Sequence, residues 1–237
     1  MRTRTPLLGV LGGMGPLATV DFLAKLIEET PAQRDQDHVP AIVYTVPQIP
    51  DRPAAIVAKG ESPLPAMLEG VRVMTRAGAT VIAIPCNTAH YWYDDLVRAA
   101  DVPVLHIADA ACDALDRREP RADAVGLMAT DGTLAAGFLQ ERLRLRGKEA
   151  VLNTPAEQSQ WVLEAIACVK RHELARAHAL AIQACHALHT RGAQAIILAC
   201  TELPVALEHA PNPYAAVMVD ATRALAQACA GWWMRSR

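Results

Sequence analysis

The 237-residue chain has no block of like charge, no apolar run long enough to cross a bilayer and no Cys-x-x-C pair. Each absence excludes a class of function. Its 23 basic and 25 acidic residues leave a net charge of −2, so it has neither a basic stripe for nucleic acid nor a polybasic patch for a membrane surface. The expected partner is a small molecule. Its longest apolar stretches fall short of the roughly 18 residues that a spanning helix needs. The leading Met1-Arg-Thr-Arg-Thr-Pro6 runs into Leu7–Leu11 and meets Gly12-Gly13, too early for the core and cleavage site of a secretory signal. A cytoplasmic protein is expected. Cys86, Cys112, Cys168, Cys185, Cys200 and Cys229 are scattered singly, unlike the dense frameworks of small secreted domains, and should be free thiols in a reducing compartment. Cys112, Cys168, Cys185 and Cys229 lie in Ala-rich helical text, where a thiol reads as a small buried hydrophobe.

At 52% hydrophobic residues the chain can bury one large core or two domains of about 110 residues each. Short β-rich runs at Leu7–Leu11, Ala41–Val46, Thr80–Pro85, Val102–Ile107, Ala124–Ala129, Ala195–Ala199 and Ala216–Val219 alternate with segments of helical periodicity. That alternation predicts an α/β protein with short parallel sheets flanked by helices. The helical text from about Pro155 to Arg191 reads as two amphipathic pieces broken near Arg171-His172-Glu173.

The chain is also internally repeated. Gly78-Ala-Thr-Val-Ile-Ala-Ile-Pro-Cys86 aligns without a gap on Gly192-Ala-Gln-Ala-Ile-Ile-Leu-Ala-Cys200, at an offset of 114. Gly9-Val-Leu-Gly-Gly-Met-Gly15-Pro-Leu-Ala18 aligns on Gly126-Leu-Met-Ala-Thr-Asp-Gly132-Thr-Leu-Ala135 at an offset of 117. Two pseudo-symmetric domains follow: residues 1–107 with 216–237, carrying Cys86, and residues 108–215, carrying Cys200. In both copies the cysteine stands at the carboxyl end of an apolar strand, where open α/β sheets place their ligands. A ligand in the cleft between the halves would meet one sulfur on each side.

Asn87-Thr88-Ala89-His90 follows the first cysteine and Thr201-Glu202-Leu203-Pro204 the second. Such helix-starting segments are expected to lower a thiol pKa and to hold a carboxylate on backbone N–H groups. Inversion at an α-carbon needs a base on one face and an acid on the other, with the roles exchanged in reverse. Paired thiols meet that symmetry, one as thiolate and one as thiol, and predict a bell-shaped pH dependence. Near-attack contact on both faces would set the sulfurs about 6–7.5 Å apart, too far for a disulfide without closure.

These motifs, with Gly12-Gly-Met-Gly-Pro16, Ile49-Pro-Asp-Arg52, Ala129-Thr-Asp-Gly-Thr133 and Ala199-Cys-Thr-Glu-Leu-Pro204, resemble the aspartate/glutamate racemase superfamily over nearly the whole chain, most closely its aspartate racemase branch. The resemblance implies a cofactor-independent racemase of aspartate or glutamate, working as a homodimer through Cys86 and Cys200. It further implies that Met14 and the Asn87-Thr88 and Thr201-Glu202 backbone cradle the α-amino and α-carboxylate groups, with Thr130 from the second domain. Arg52 and Lys170 would reach the side-chain carboxylate, and a guanidinium grips one bidentately.

Plainer readings stand beside these. Arg52 also reads as an exposed loop residue and Lys170 as part of a solvated face with Arg171 and His172. His90 either tunes Cys86 or packs locally, and Trp232-Trp233 docks the last helix or serves a dimer contact. Gly13-Met-Gly-Pro-Leu-Ala18 formally fits a dinucleotide fingerprint, but the acidic residue due after the second strand is replaced by Pro47-Gln48. A non-catalytic dicarboxylate-binding protein and a hydantoin racemase remain open. Two isolated thiols make no zinc shell, and none of the lysines Lys25, Lys59, Lys148 and Lys170 sits in a phosphate-binding context suited to pyridoxal phosphate.

Overall fold

A computed structural model describes residues 5–236; Met1–Arg4, used above to argue against a secretory signal, lie outside the described residues. In chain order the first half contains β1 (Leu8–Gly12), α1 (Pro16–Glu29), β2 (Ala41–Thr45), α2 (Arg52–Val57), α3 (Leu64–Arg76), β3 (Val81–Ala83), α4 (Tyr93–Ala99), β4 (Val104–Leu105) and α5 (Ile107–Asp116). There follow β5 (Ala124–Ala129), α6 (Asp131–Ala136), α7 (Phe138–Leu145), β6 (Glu149–Leu152), α8 (Pro155–Glu157), α9 (Glu164–Lys170), α10 (Leu174–Thr190), β7 (Ala195–Ala199), α11 (Glu202–Leu207), β8 (Met218–Asp220) and α12 (Ala221–Ser236).

The strands form two four-stranded parallel sheets of the same topology, β2-β1-β3-β4 and β6-β5-β7-β8. The duplication extends to the register: Gly9 stands opposite Ile82 and Ile82 opposite Val104, while Gly126 stands opposite Ile196 and Ile196 opposite Met218. A reason for glycine at the two matched positions is local. A Cβ on Gly9 would lie 3.0 Å from Ala79 and 3.1 Å from Met74, and one on Gly126 would lie 3.1 Å from Leu188. Each central strand therefore lets the helix before the next strand, α3 or α10, pack directly on its backbone.

Strand alternation divides the interior into three cores. Leu8, Val10, Val81 and Ala83 from one sheet share a central core with Val125, Leu127, Ala129, Ile197 and Ala199 from the other, and α1, α5 and α12 complete it. The opposite faces look outward: Ile82 and Ile84 pack with Met67, Val71 and Met74 of α3, and Ile196 and Leu198 pack with Ala184 and Leu188 of α10. Each fully buried Ile or Leu contributes about 1.5–3 kcal/mol over exposure. Cys86 and Cys200 continue the outward-facing parity of their strands, which is why the matched text delivers matched side chains.

Charge also ties the halves together. Lys25 of α1 is only 2% exposed and reaches Asp21 at 2.7 Å, Asp220 at the end of β8 at 2.8 Å and Glu208 beyond α11 at 3.2 Å. Arg223 of α12 pairs with Glu28 and Glu29 of α1, and the Trp233 indole N–H donates to the Asp37 carbonyl at 2.9 Å.

Three readings of the sequence need correction. Residues 216–237 do not all go with the first domain: β8 hydrogen-bonds to β7 and closes the second sheet, and the helix after it turns to α1. Glu149–Leu152 forms a further strand, β6, whose sequence gives no strand signal because it is a four-residue edge strand that is never fully buried. The run Thr80–Pro85 yields a strand only over Val81–Ala83, because Pro85 has no N–H to extend the ladder. The break near Arg171-His172-Glu173 is present between α9 and α10, with His172 at φ 62°.

Candidate active site between the two sheets

The carboxyl ends of β1 and β3 meet those of β5 and β7 around one small cavity. It is lined by Met14, Arg52, Pro53, Cys86, Asn87, Thr88, Thr130, Ile166, Lys170, Cys200, Thr201 and Glu202. All ten residues singled out in the sequence are therefore brought together. Pro53 and Ile166 were missed, because an apolar lining residue carries no chemical signature that separates it from core.

Local structure accounts for each position. After β1 the chain turns at Gly13, whose φ of 95° and whose approach to the Val46 backbone, 2.5 Å from a built Cβ, exclude a side chain. The turn brings Met14 into the cavity. Asp51 caps α2 by accepting the Ala54 N–H at 2.8 Å, which puts Arg52 at the first helical position, half-buried. Its Nη1 donates to the Ile49 and Pro50 carbonyls, both at 3.1 Å, while its buried Nε has no partner. The exposed-loop reading of Arg52 is thereby corrected: the backbone holds the guanidinium at the cleft. Lys170 ends α9 and is exposed at the cavity rim, so its solvated and its cleft-facing readings both hold.

The halves touch across this cleft. Thr88 Oγ1 lies 2.9 Å from both Thr130 Oγ1 and Thr133 Oγ1, a ring of three buried hydroxyls joining the first half to the second. Beside it, Gly132 of α6 lets α2 approach so closely that a Cβ would stand 2.8 Å from Pro53 Cα. The space between the halves that a water can occupy measures about 20 Å³, room for about one water. Asn87 is 2% exposed and neither atom of its amide has a hydrogen-bond partner. Buried amides are nearly always paired, and an unpaired one costs about 1–3 kcal/mol per group, so both ends of the Asn87 amide are left open toward the cavity that Asn87 lines. A larger groove of about 440 Å³ beside Glu208, Asp220 and Arg223 contains neither thiol.

The thiols differ in their surroundings. Burial pushes the Cys200 thiol well above its ordinary range, and the charge of Glu202 and the hydrogen bond to it push the same way, with Lys170 opposing. The expectation that a helix start lowers both thiols fails at Cys200. There the adjacent carboxylate and the loss of solvent outweigh the first turn of a six-residue helix.

His90 settles its own two readings by its contacts. Nδ1 lies 2.9 Å from the Cys86 carbonyl and Nε2 accepts the Ile107 N–H at 3.3 Å, so the neutral ring with its proton on Nδ1 pins the Cys86 turn to the start of α5. Burial drops its pKa to about 4, and burial with neighbouring His90 drops that of His106 to about 2. Both rings must be neutral in the fold, whereas in the unfolded chain they gain a proton below pH about 6.5. Stability should therefore fall as pH drops from 6.5 to 4, by about 3 kcal/mol for His90 alone. Asp21, pushed up to about 6 by burial, works in the opposite direction, and the two imidazoles outweigh it. Thermal unfolding followed from pH 7 to 4.5 should show the loss, and a smaller one in His90→Asn, whose amide can still donate to the Cys86 carbonyl.

Comparison with known proteins places this architecture. A sequence profile described as Asp/Glu/Hydantoin racemase matches residues 11–229. The chain is similar to the broad specificity amino-acid racemase RacX of Bacillus subtilis (strain 168), 28% identical over 209 residues that cover 86% of this chain and 88% of that one. Among solved structures it is similar to the Picrophilus torridus aspartate racemase, with a TM-score of 0.84, 30% identity and coverage of 97% and 95% of the two chains. The fold is shared with the glutamate racemase of Francisella tularensis, at a TM-score of 0.70, 17% identity and coverage of 98% and 82%. The chain belongs to the Asp/Glu/Hydantoin racemase family.

Proposed function

We propose that this protein racemises aspartate, glutamate or both without a cofactor, Cys86 and Cys200 acting on opposite faces of the α-carbon. The observation that carries the reading is the meeting of two matched strand-end thiols on one cavity. Neither a binding protein nor a nicotinamide dehydrogenase needs such a pair. One thiolate removes the α-proton, the C–H electron pair passes into the adjoining carboxylate as an enolate, and the opposite thiol returns a proton to the other face. Met14, Asn87, Thr88, Thr130, Thr201 and the Glu202 backbone hold the α-amino and α-carboxylate groups, the unpartnered Asn87 amide supplying a donor and an acceptor. Arg52 and Lys170 bind the side-chain carboxylate and select an acidic substrate. The cavity's room for about one water, about 20 Å³, is too small for an amino acid, so substrate binding requires the cleft to widen. Six buried free cysteines fit a reducing compartment, and a homodimer is the proposed assembly.

A wider amino-acid range is the second reading, favoured by the similarity to a broad specificity racemase. Incubating the protein with the L and D forms of aspartate, glutamate and neutral amino acids in D2O separates them. Inversion accompanied by α-deuteration, in the absence of added cofactor and fastest with an acidic amino acid, is expected. Equal rates with neutral amino acids would support the wider range, and no exchange with any amino acid would overturn racemisation.

A further inference from the structure

The repeat that delivers two matched thiols loses its symmetry just after them, and two residues on the difference is one of charge. At the offset of 114, Thr88 follows Cys86 where Glu202 follows Cys200. The first copy thus carries a neutral hydroxyl, engaged with Thr130 and Thr133, and the second a carboxyl group. That carboxylate is turned onto the sulfur: Cys200 Sγ donates to Glu202 Oε2 at 3.1 Å, and Thr201 Oγ1 donates to the same oxygen at 3.4 Å. Glu202 is 6% exposed and forms no ion pair among the described residues. Its other oxygen fits against Gly15 of the opposite half, where a Cβ would lie only 3.1 Å away. The remaining ionisable groups on the cavity are Cys86 across it, Arg52 from α2 and Lys170 from α9.

We propose that Glu202 is a positioning residue that accepts the Cys200 S–H and thereby makes Cys200 the resting proton donor, with Cys86 as the resting base. The assignment rests on the two-thiol reading of the site. In the ready state Cys86 thiolate removes the α-proton from the enantiomer presenting it on that side. Cys200 then gives its proton to the opposite face and keeps the S–H electron pair. This leaves a thiolate beside a carboxylate, the costlier of the two proton states because like charges in a buried site repel. The enzyme returns to rest when a proton passes from Cys86 to Cys200 through solvent. Because the two enantiomers have equal free energy in solution, kcat/KM must be the same in both directions. The bias therefore appears as kcat and KM that differ together between D and L substrates.

The pH dependence of alkylation by iodoacetamide, read separately for each cysteine by peptide mass spectrometry, tests this without relying on turnover. In the unaltered protein the midpoint for Cys200 should lie above that for Cys86. Glu202→Gln should lower the Cys200 midpoint by at least about one pH unit and leave Cys86 where it was, whereas Glu202→Asp, which keeps the charge, should leave Cys200 high. A Cys200 midpoint at or below that of Cys86 in the unaltered protein overturns the proposal even if the variants fail to fold. So does a Cys200 midpoint unmoved in a folded Glu202→Gln. The D-to-L ratio of kcat should also move toward one in Glu202→Gln. Complete absence of racemisation in the unaltered protein would remove the proposed reaction while leaving the thiol titrations to decide the role of Glu202.

Discussion

Replacing either Cys86 or Cys200 with serine is expected to lower racemisation of the acidic amino acid by at least about 10³-fold, within the range a positioned acid or base supplies. A serine hydroxyl is far less acidic than a thiol, so at neutral pH it neither carries the negative charge needed to remove the α-proton nor yields a proton readily to the enolate. The geometry predicts more than a loss. Each single variant keeps one competent sulfur and the binding residues around it, so in D2O it should still exchange the α-proton of one enantiomer without inverting it. Cys86→Ser and Cys200→Ser should favour opposite enantiomers. The double variant should show neither exchange nor inversion, while its affinity for the amino acid stays within a few-fold of the unaltered protein. Mass spectrometry of recovered substrate with chiral chromatography measures both quantities. Full inversion by either single variant would rule out the assignment of one thiol to each face.

A second large effect is expected far from the cavity, at Lys25. This ammonium is 2% exposed and bridges Asp21 on its own helix to Asp220 and Glu208 of the second half. Burial alone would lower its pKa, but Asp220 and Asp21 outweigh burial and hold it above the ordinary lysine value. Lys25→Met keeps most of the aliphatic volume and removes the charge, leaving Asp21 and Asp220, each with 14% of its side chain exposed, without their cation. Uncompensated buried charge of this kind costs about 3–5 kcal/mol, measurable by urea unfolding at pH 7.5. The penalty should shrink at pH 5, because Asp21, whose pKa burial raises to about 6, is then already protonated in the fold. Asp220→Asn should restore part of the stability in the Lys25→Met background. An unchanged unfolding midpoint in Lys25→Met would show that the cluster contributes little to joining the halves.

The residues themselves explain how far the sequence could be read. Gly9 and Gly126, and Cys86 and Cys200, announced a repeat because the requirements that conserve their spacing are local: a helix packed on a strand backbone, and a side chain at a strand end. The alternation Ile82, Ile84, Cys86 against Ile196, Leu198, Cys200 determines which face each sulfur takes, since strand periodicity is two. β6 and the allegiance of β8 were not legible. A four-residue edge strand has too few residues to show a period, and a strand's sheet is chosen by its hydrogen-bond partner rather than by its own composition. Pro53 and Ile166 were invisible for a related reason, since their apolar character is the same in a cleft as in a core.

By itself the amino-acid sequence determined the α/β class, the duplicated halves, the strand-end placement of both thiols and the set of polar residues able to gather around them. Those features depend on short-range periodicity and on which groups each side chain carries. Tertiary structure decided that Thr88 meets Thr130 and Thr133 across the cleft, that Lys25 clasps Asp220, and that the Cys200 sulfur, but not the matched Cys86, faces a buried carboxylate. The Thr88 and Lys25 contacts join groups that the fold, and not their spacing along the chain, brings within reach, and the neighbouring Cys200–Glu202 pair owes its effect to the burial that the fold imposes.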